Sequence, residues 1–124
     1  MDYRIELVPL AVADTDRAVA FYGDRLGWSV DHDVTVSPEL RFVQVTPPGS
    51  AASICFGVGL DQMRGQRQHI QVVVDDADAA LADLRERGVE CEGVDMQPWG
   101  NFVYFADPDG NQWAVQAIVI PEGM

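Results

Sequence analysis

The chain has 124 residues, 48% of them hydrophobic, which suits one compact domain with a real core and argues against disorder. Twenty acids stand against eight bases, all arginine, for a formal charge of −12; a protein that tracks nucleic acid needs a basic surface, so that class is excluded. No basic region followed by an apolar core opens the chain, no apolar run approaches the about 18 residues of a membrane span, and Cys55 and Cys91 are too few for a disulfide scaffold, so a soluble, cytoplasmic protein is expected.

The first strand is predicted over Arg4–Val12, with Pro9 restricting it to a sheet edge or to a position facing away from a partner. Asp14 or Asp16 caps the following helix, whose apolar face is Ala18, Phe21, Tyr22 and Leu26 and whose stop is Gly27. Trp28, Val30, His32 and Val34 alternate with polar residues, so they are expected on one side of a second strand. Ser37–Glu39 is a turn, Leu40–Thr46 a strand ended by Pro47-Pro48-Gly49, and Ala51–Val58 closes the first half.

Residues 59–67 read as a linker, after which the order repeats. Gln68–Val74 alternates as a strand, and Asp76 or Asp78 caps a helix through Arg87 with Ala77, Ala80, Leu81 and Leu84 on its apolar face. Val89–Val94 and Asn101–Ala106 are strands around the Gln97–Gly100 turn, and Asp107–Asn111 is a tight turn before a last strand, Gln112–Ile120. Shifting the chain by 62 positions lays Leu10 on Val72, Asp14 on Asp76, Ala18 on Ala80 and Tyr22 on Leu84. Two tandem βαβββ modules follow, about 4–58 and 68–120, in a single α+β domain spanning 1–124. One helix covers one face of each curved mixed sheet, and the other face is left to line a pocket. By alternation the pocket-facing set is Trp28, Phe42, Gln44, Phe56, His69, Gln71 and Trp113.

The segments VADTDRAVAFYGDRLGW, HIQVVVDDADAALADLRERGVE and FADPDGNQWAVQ closely resemble the vicinal oxygen chelate superfamily, that of glyoxalase I, the bleomycin-resistance proteins and the extradiol dioxygenases, over residues 4–120. The resemblance implies a homodimer and, in its metalloenzymes, a His and Glu donor set. Of the positions implied, the first-strand His falls on Leu7, the fifth-strand His on His69, the final Glu near Ala114, and the remaining slot about Cys55 or Phe56. A divalent metal wants several converging donors, and Leu and Ala supply none, so no metal and no cofactor are expected. Amide oxygens from Gln44, Gln71 or Gln116 would make a weak substitute. The loop bearing Trp99 borders the pocket mouth in such proteins, which makes Trp99 a candidate for stacking on a flat ligand.

Three functions stay open. The first is metal-independent sequestration of a small organic molecule, a cation being one option given the acidic charge, with Trp28, Phe42, Gln44, Phe56, His69, Gln71, Trp99 and Trp113 as ligand-binding candidates. The second is acid/base catalysis on a natural-product intermediate with His69 as the catalytic residue, since imidazole titrates near neutrality. The third is metal-dependent lyase, isomerase or dioxygenase chemistry.

Overall fold

The computed structural model describes residues 1–60 and 67–119. Most of the expected linker (61–66), Ile120 of the expected last strand and the tail Pro121–Met124 lie outside the described residues. Contacts divide the chain into two compact units, Met1–Gln68 and His69–Met124. The first contains β1 (Leu7–Pro9), α1 (Thr15–Val19) running into a π-helical segment (Ala20–Arg25), β2 (Ser29–Ser37), β3 (Leu40–Thr46) and β4 (Ser53–Val58). The second contains β5 (His69–Val74), α2 (Ala77–Glu86), β6 (Asp95–Gln97), β7 (Gly100–Ala106) and β8 (Gln112–Ile118). Their sheets are ordered β1-β4-β3-β2 and β5-β8-β7-β6, with β1–β4 and β5–β8 the parallel pairs. Two tandem α+β modules of one topology are therefore present, as the internal repeat predicts. Among the described residues no helix is long and apolar enough to cross a membrane.

Local chemistry sets the helix ends. Asp14 and Asp76, rather than Asp16 and Asp78, are the caps: each carboxylate accepts the main-chain N–H three residues on, at 3.1 Å. Gly27 (φ 71°) and Gly88 (φ 79°) end the helical segments in the left-handed conformation that a side chain disfavours. In the first unit Leu26 N–H donates to Phe21 C=O at 2.9 Å, a span of five residues that widens the turn. Tyr22 is fully buried there, with its ring 5.8 Å from Phe56 and 5.6 Å from Trp28. Pro9 sits on the edge strand β1, where a missing N–H costs no ladder bond on the outer side.

Two expected strands differ from what alternation predicts. In β2, Val30 pairs with Val45 but His32 pairs with Gln44, so Asp31 is an inserted bulge residue. Val30 and His32 consequently fall on opposite faces, and Trp28 precedes the strand and packs on Tyr22. Val89–Val94 does not form a strand: the Arg85 guanidinium donates to the carbonyls of Cys91 (3.0 Å) and Glu92 (3.1 Å), tying the segment to the end of α2, and pairing with β7 starts only at Asp95. The first strand is likewise shorter than predicted, Leu7–Pro9.

Arg41 ties β3 to β2 and to α1 in the first unit. Its Nε and Nη2 donate to the two Asp33 carboxylate oxygens at 2.9 and 2.8 Å, and its Nη1 donates to Asp16 at 2.6 Å. The bidentate hydrogen bond holds the Asp33 carboxyl below its ordinary 3.8. A carboxyl depressed in the folded state contributes stability above 3.8 that is lost as pH falls through its folded value. Urea midpoints measured from neutral to acid pH are therefore expected to fall less steeply below 3.8 in Arg41→Met than in the wild type.

Candidate functional site

Strand register decides which side chains meet. In the second unit β7 pairs antiparallel with β8, and β8 parallel with β5, so Phe105, Trp113 and Ile70 share one face while Tyr104, Ala114 and Gln71 share the other. α2 packs on β7 and β8. The face with Val103, Phe105, Trp113 and Val115 is buried, Phe105 and Trp113 lying parallel at 5.9 Å. The opposite face carries His69, Gln71, Gln112, Tyr104 and Ala106, all exposed.

Along that face the second unit forms a recess of about 1020 Å³. Its wall includes His69, Gln71, Gln112, Ala114, Tyr104 and Asp95, and its rim is the Glu90–Val94 segment held by Arg85. Tyr104 Oη donates to Asp95 Oδ2 at 3.0 Å, and Gln97 Nε2 donates to both Asp95 oxygens at 3.1 Å. Desolvation, then the Asp95 carboxylate, pushes the Tyr104 phenol above its ordinary value, so it stays protonated. The Tyr104 ring stacks on Phe102 at 5.8 Å, which fixes its direction along β7. Burial raises the thiols of Cys91 on the rim and Cys55 in β4, leaving both protonated and weakly nucleophilic at neutral pH.

His69 and Gln71 are thus brought together. Trp113 also borders the recess, but with 1% exposure and a position opposite Ile70 it belongs to the face packed by Phe105, a correction to the alternation reading. Phe56 is corrected in the same way: it pairs with Val43, has 0% exposure and packs on Tyr22, as does half-buried Trp28. Phe42 and Gln44 do share the other face of the first sheet, Gln44 opposite His32 and Cys55. Trp99 is 57% exposed in the β6–β7 turn. Asp95, Glu90 and Glu92 were not legible as site residues, because only the tie from Arg85 and the late start of β6 bring them to the wall.

Apart from His69, the positions at which the resemblance implies metal donors hold other side chains. Leu7 lies opposite Ser53, Ala114 lies between Gln71 and Tyr104, and among the described residues no three His, Cys, Asp or Glu side chains converge. Equilibrium unfolding separates core from cavity: Phe56→Ala and Trp113→Ala are expected to lose about 3–5 kcal/mol, and His69→Ala about 0.5 kcal/mol or less.

Residues 4–115 match the Glyoxalase/Bleomycin resistance protein/Dioxygenase superfamily. The chain is 29% identical over 112 residues to the uncharacterized protein YetH of Bacillus subtilis, covering 87% of this chain and 92% of YetH. Its fold is similar to the crystal structure of TnmS3, an antibiotic binding protein from Streptomyces sp. CB03234, with a TM-score of 0.81 and 30% identity over 95% of this chain and 98% of TnmS3. It is also similar to a superfamily member from Sphaerobacter thermophilus, with a TM-score of 0.78 and 30% identity over 93% of this chain and 97% of that one. With the tandem modules, a four-stranded sheet in each and this match over most of its length, the chain belongs to the glyoxalase/bleomycin resistance protein/dioxygenase superfamily.

Proposed function

We propose that this protein is a metal-independent cytoplasmic binder that sequesters a small organic molecule in the recess of its second unit. The observation that carries the reading is the recess, about 1020 Å³, at the upper end of the roughly 300–1,000 Å³ range of drug-sized ligand sites. Its wall combines the apolar flank of Ala114 with the polar handles His69, Gln71, Tyr104 and Gln112. Similarity to TnmS3, an antibiotic binding protein, supports the same class of ligand for this chain. Glu90, Glu92 and Asp95 on the wall, with a formal charge of −12, favour a cationic group on that ligand. The protein acts as a twofold homodimer, as two-module chains of this superfamily suggest.

Titration with a panel of natural-product antibiotics, bleomycin included, tests the binding reading by calorimetry. At least one is expected to bind and to be recovered chemically unchanged. His69→Ala, Gln71→Ala and Tyr104→Phe should each weaken it about three- to tenfold, with the unfolding midpoint left in place by His69→Ala. Recovery of an altered compound would replace sequestration with catalysis, with His69 as the acid/base group. An absolute requirement for added divalent cation would overturn the metal-independent reading. Light scattering at micromolar concentration is expected to return twice the chain mass; a monomer there rules out the dimer.

A further inference from the structure

Gln116 lies beside the recess, on the face of β8 that carries Ala114, and is 8% exposed. Its Nε2 donates to the main-chain carbonyl of Trp99 at 3.3 Å, and its Oε1 accepts from Gln71 Nε2 at 2.6 Å. A main-chain carbonyl can only accept, so Gln116 must turn its nitrogen toward Trp99 and its oxygen toward Gln71. Gln71 must then donate one N–H to Gln116, which leaves Oε1 and the second N–H on the Gln71 amide. One backbone carbonyl thereby sets the polarity of two side-chain amides. That carbonyl is itself anchored, because Val119 N–H also donates to it at 3.1 Å.

Gly100 makes the arrangement sterically feasible. A Cβ at this position would stand 2.3 Å from Gln116 Nε2 and 2.9 Å from its Cγ. Gly100 is not among the glycines with positive φ, so what its missing side chain supplies is space for the Gln116 amide. On the wall the Tyr104 hydroxyl proton is committed to Asp95, which also accepts from the Gln97 amide outside the lining. Gln71 Oε1, the Tyr104 lone pairs and the carboxylates of Glu90 and Glu92 remain as acceptors, beside the donors of His69 and Gln112.

We propose that Gln116, seated over Gly100, is a positioning residue that fixes the direction of the Gln71 amide, so that the ligand presents a hydroxyl or amine to Gln71 Oε1. This rests on the recess being the ligand site. An acceptor-only ligand, such as an ether or ketone of the same shape, would leave Gln71 Oε1 facing another acceptor and lose affinity.

Two measurements on the full chain test the proposal, and only the second depends on a ligand. In the ¹⁵N–¹H spectrum of the free protein, one Gln71 side-chain amide proton and one of Gln116 should be shifted to hydrogen-bonded positions. Both should return to free-amide positions in Gly100→Ala, with the Gln112 pair unchanged. Free-amide behaviour of Gln71 in the wild type overturns the relay. For the second measurement the probes are naphthol and its methyl ether, followed by fluorescence. The wild type should prefer naphthol about tenfold. Gln116→Leu, which keeps the packing volume should Gly100→Ala fail to fold, and Gln71→Leu should each reduce the preference to about threefold or less, with methyl ether affinity unchanged. An undiminished preference in Gln116→Leu overturns the positioning role. If neither probe binds the wild type, the donor-selective ligand assignment falls together with the recess reading, while the amide spectrum independently decides the relay.

Discussion

A four-stranded sheet has two faces, and each unit of this protein supplies a single helix to cover one of them. The period-two alternation of the strands then forces every residue to one side or the other. Large apolar side chains go where the helix is: Phe56, Val43 and Val45 under Tyr22 in the first unit, and Trp113, Phe105 and Val103 in the second. What remains on the other side is a set of side chains that must satisfy themselves, meet solvent or meet a ligand. The recess is a consequence of that division, bounded at its rim by the Glu90–Val94 segment, whose Cys91 and Glu92 carbonyls Arg85 holds.

The uncovered faces solve the same polar problem with different groups. In the first sheet, Thr46 Oγ1 and Ser29 Oγ hydrogen-bond the Asp31 carboxylate, and Thr46 Oγ1 lies 2.6 Å from Ser53 Oγ. The Thr46 bond first, then Ser29, holds the Asp31 carboxyl below its ordinary value. In the second sheet the chain is built from amides, with direction imposed by the Trp99 carbonyl. Hydroxyls and carboxylates make a compact, charged knot. Amides leave an oxygen and an N–H over, in a direction fixed from the Trp99 carbonyl.

Members of one superfamily can place catalysis or binding on this scaffold because fold and site are separable. Here the positions at which metalloenzymes of the resemblance would carry donors hold Leu7 and Ala114, beside Ser53 in one ladder and Gln71 in the other. The neighbouring cysteine, Cys55, is 3% exposed, and burial keeps its thiol protonated. His69 stands on the recess wall next to Gln112 rather than inside a converging donor set.

The sequence alone determined the modules. The 62-position repeat, the aspartate caps, the glycine stops and the Asp107–Asn111 turn are local devices, each written in adjacent residues; in that turn Asp107 accepts from the N–H groups of Asp109 and Asn111 at 2.9 and 2.8 Å. For the same reason Pro9 announced an edge strand. Local periodicity also placed His69 and Gln71 on one face, since no irregularity interrupts β5. It failed wherever register was set at a distance. The Asp31 bulge inverts the parity of β2, and the pairing of β4 and β8 with their neighbours sends Phe56 and Trp113 to the helix side. The Arg85 tie and the Gln71–Gln116–Trp99 chain join residues far apart in sequence. Only tertiary structure decides such features, because a one-residue shift in pairing exchanges the two faces of a strand without changing its composition.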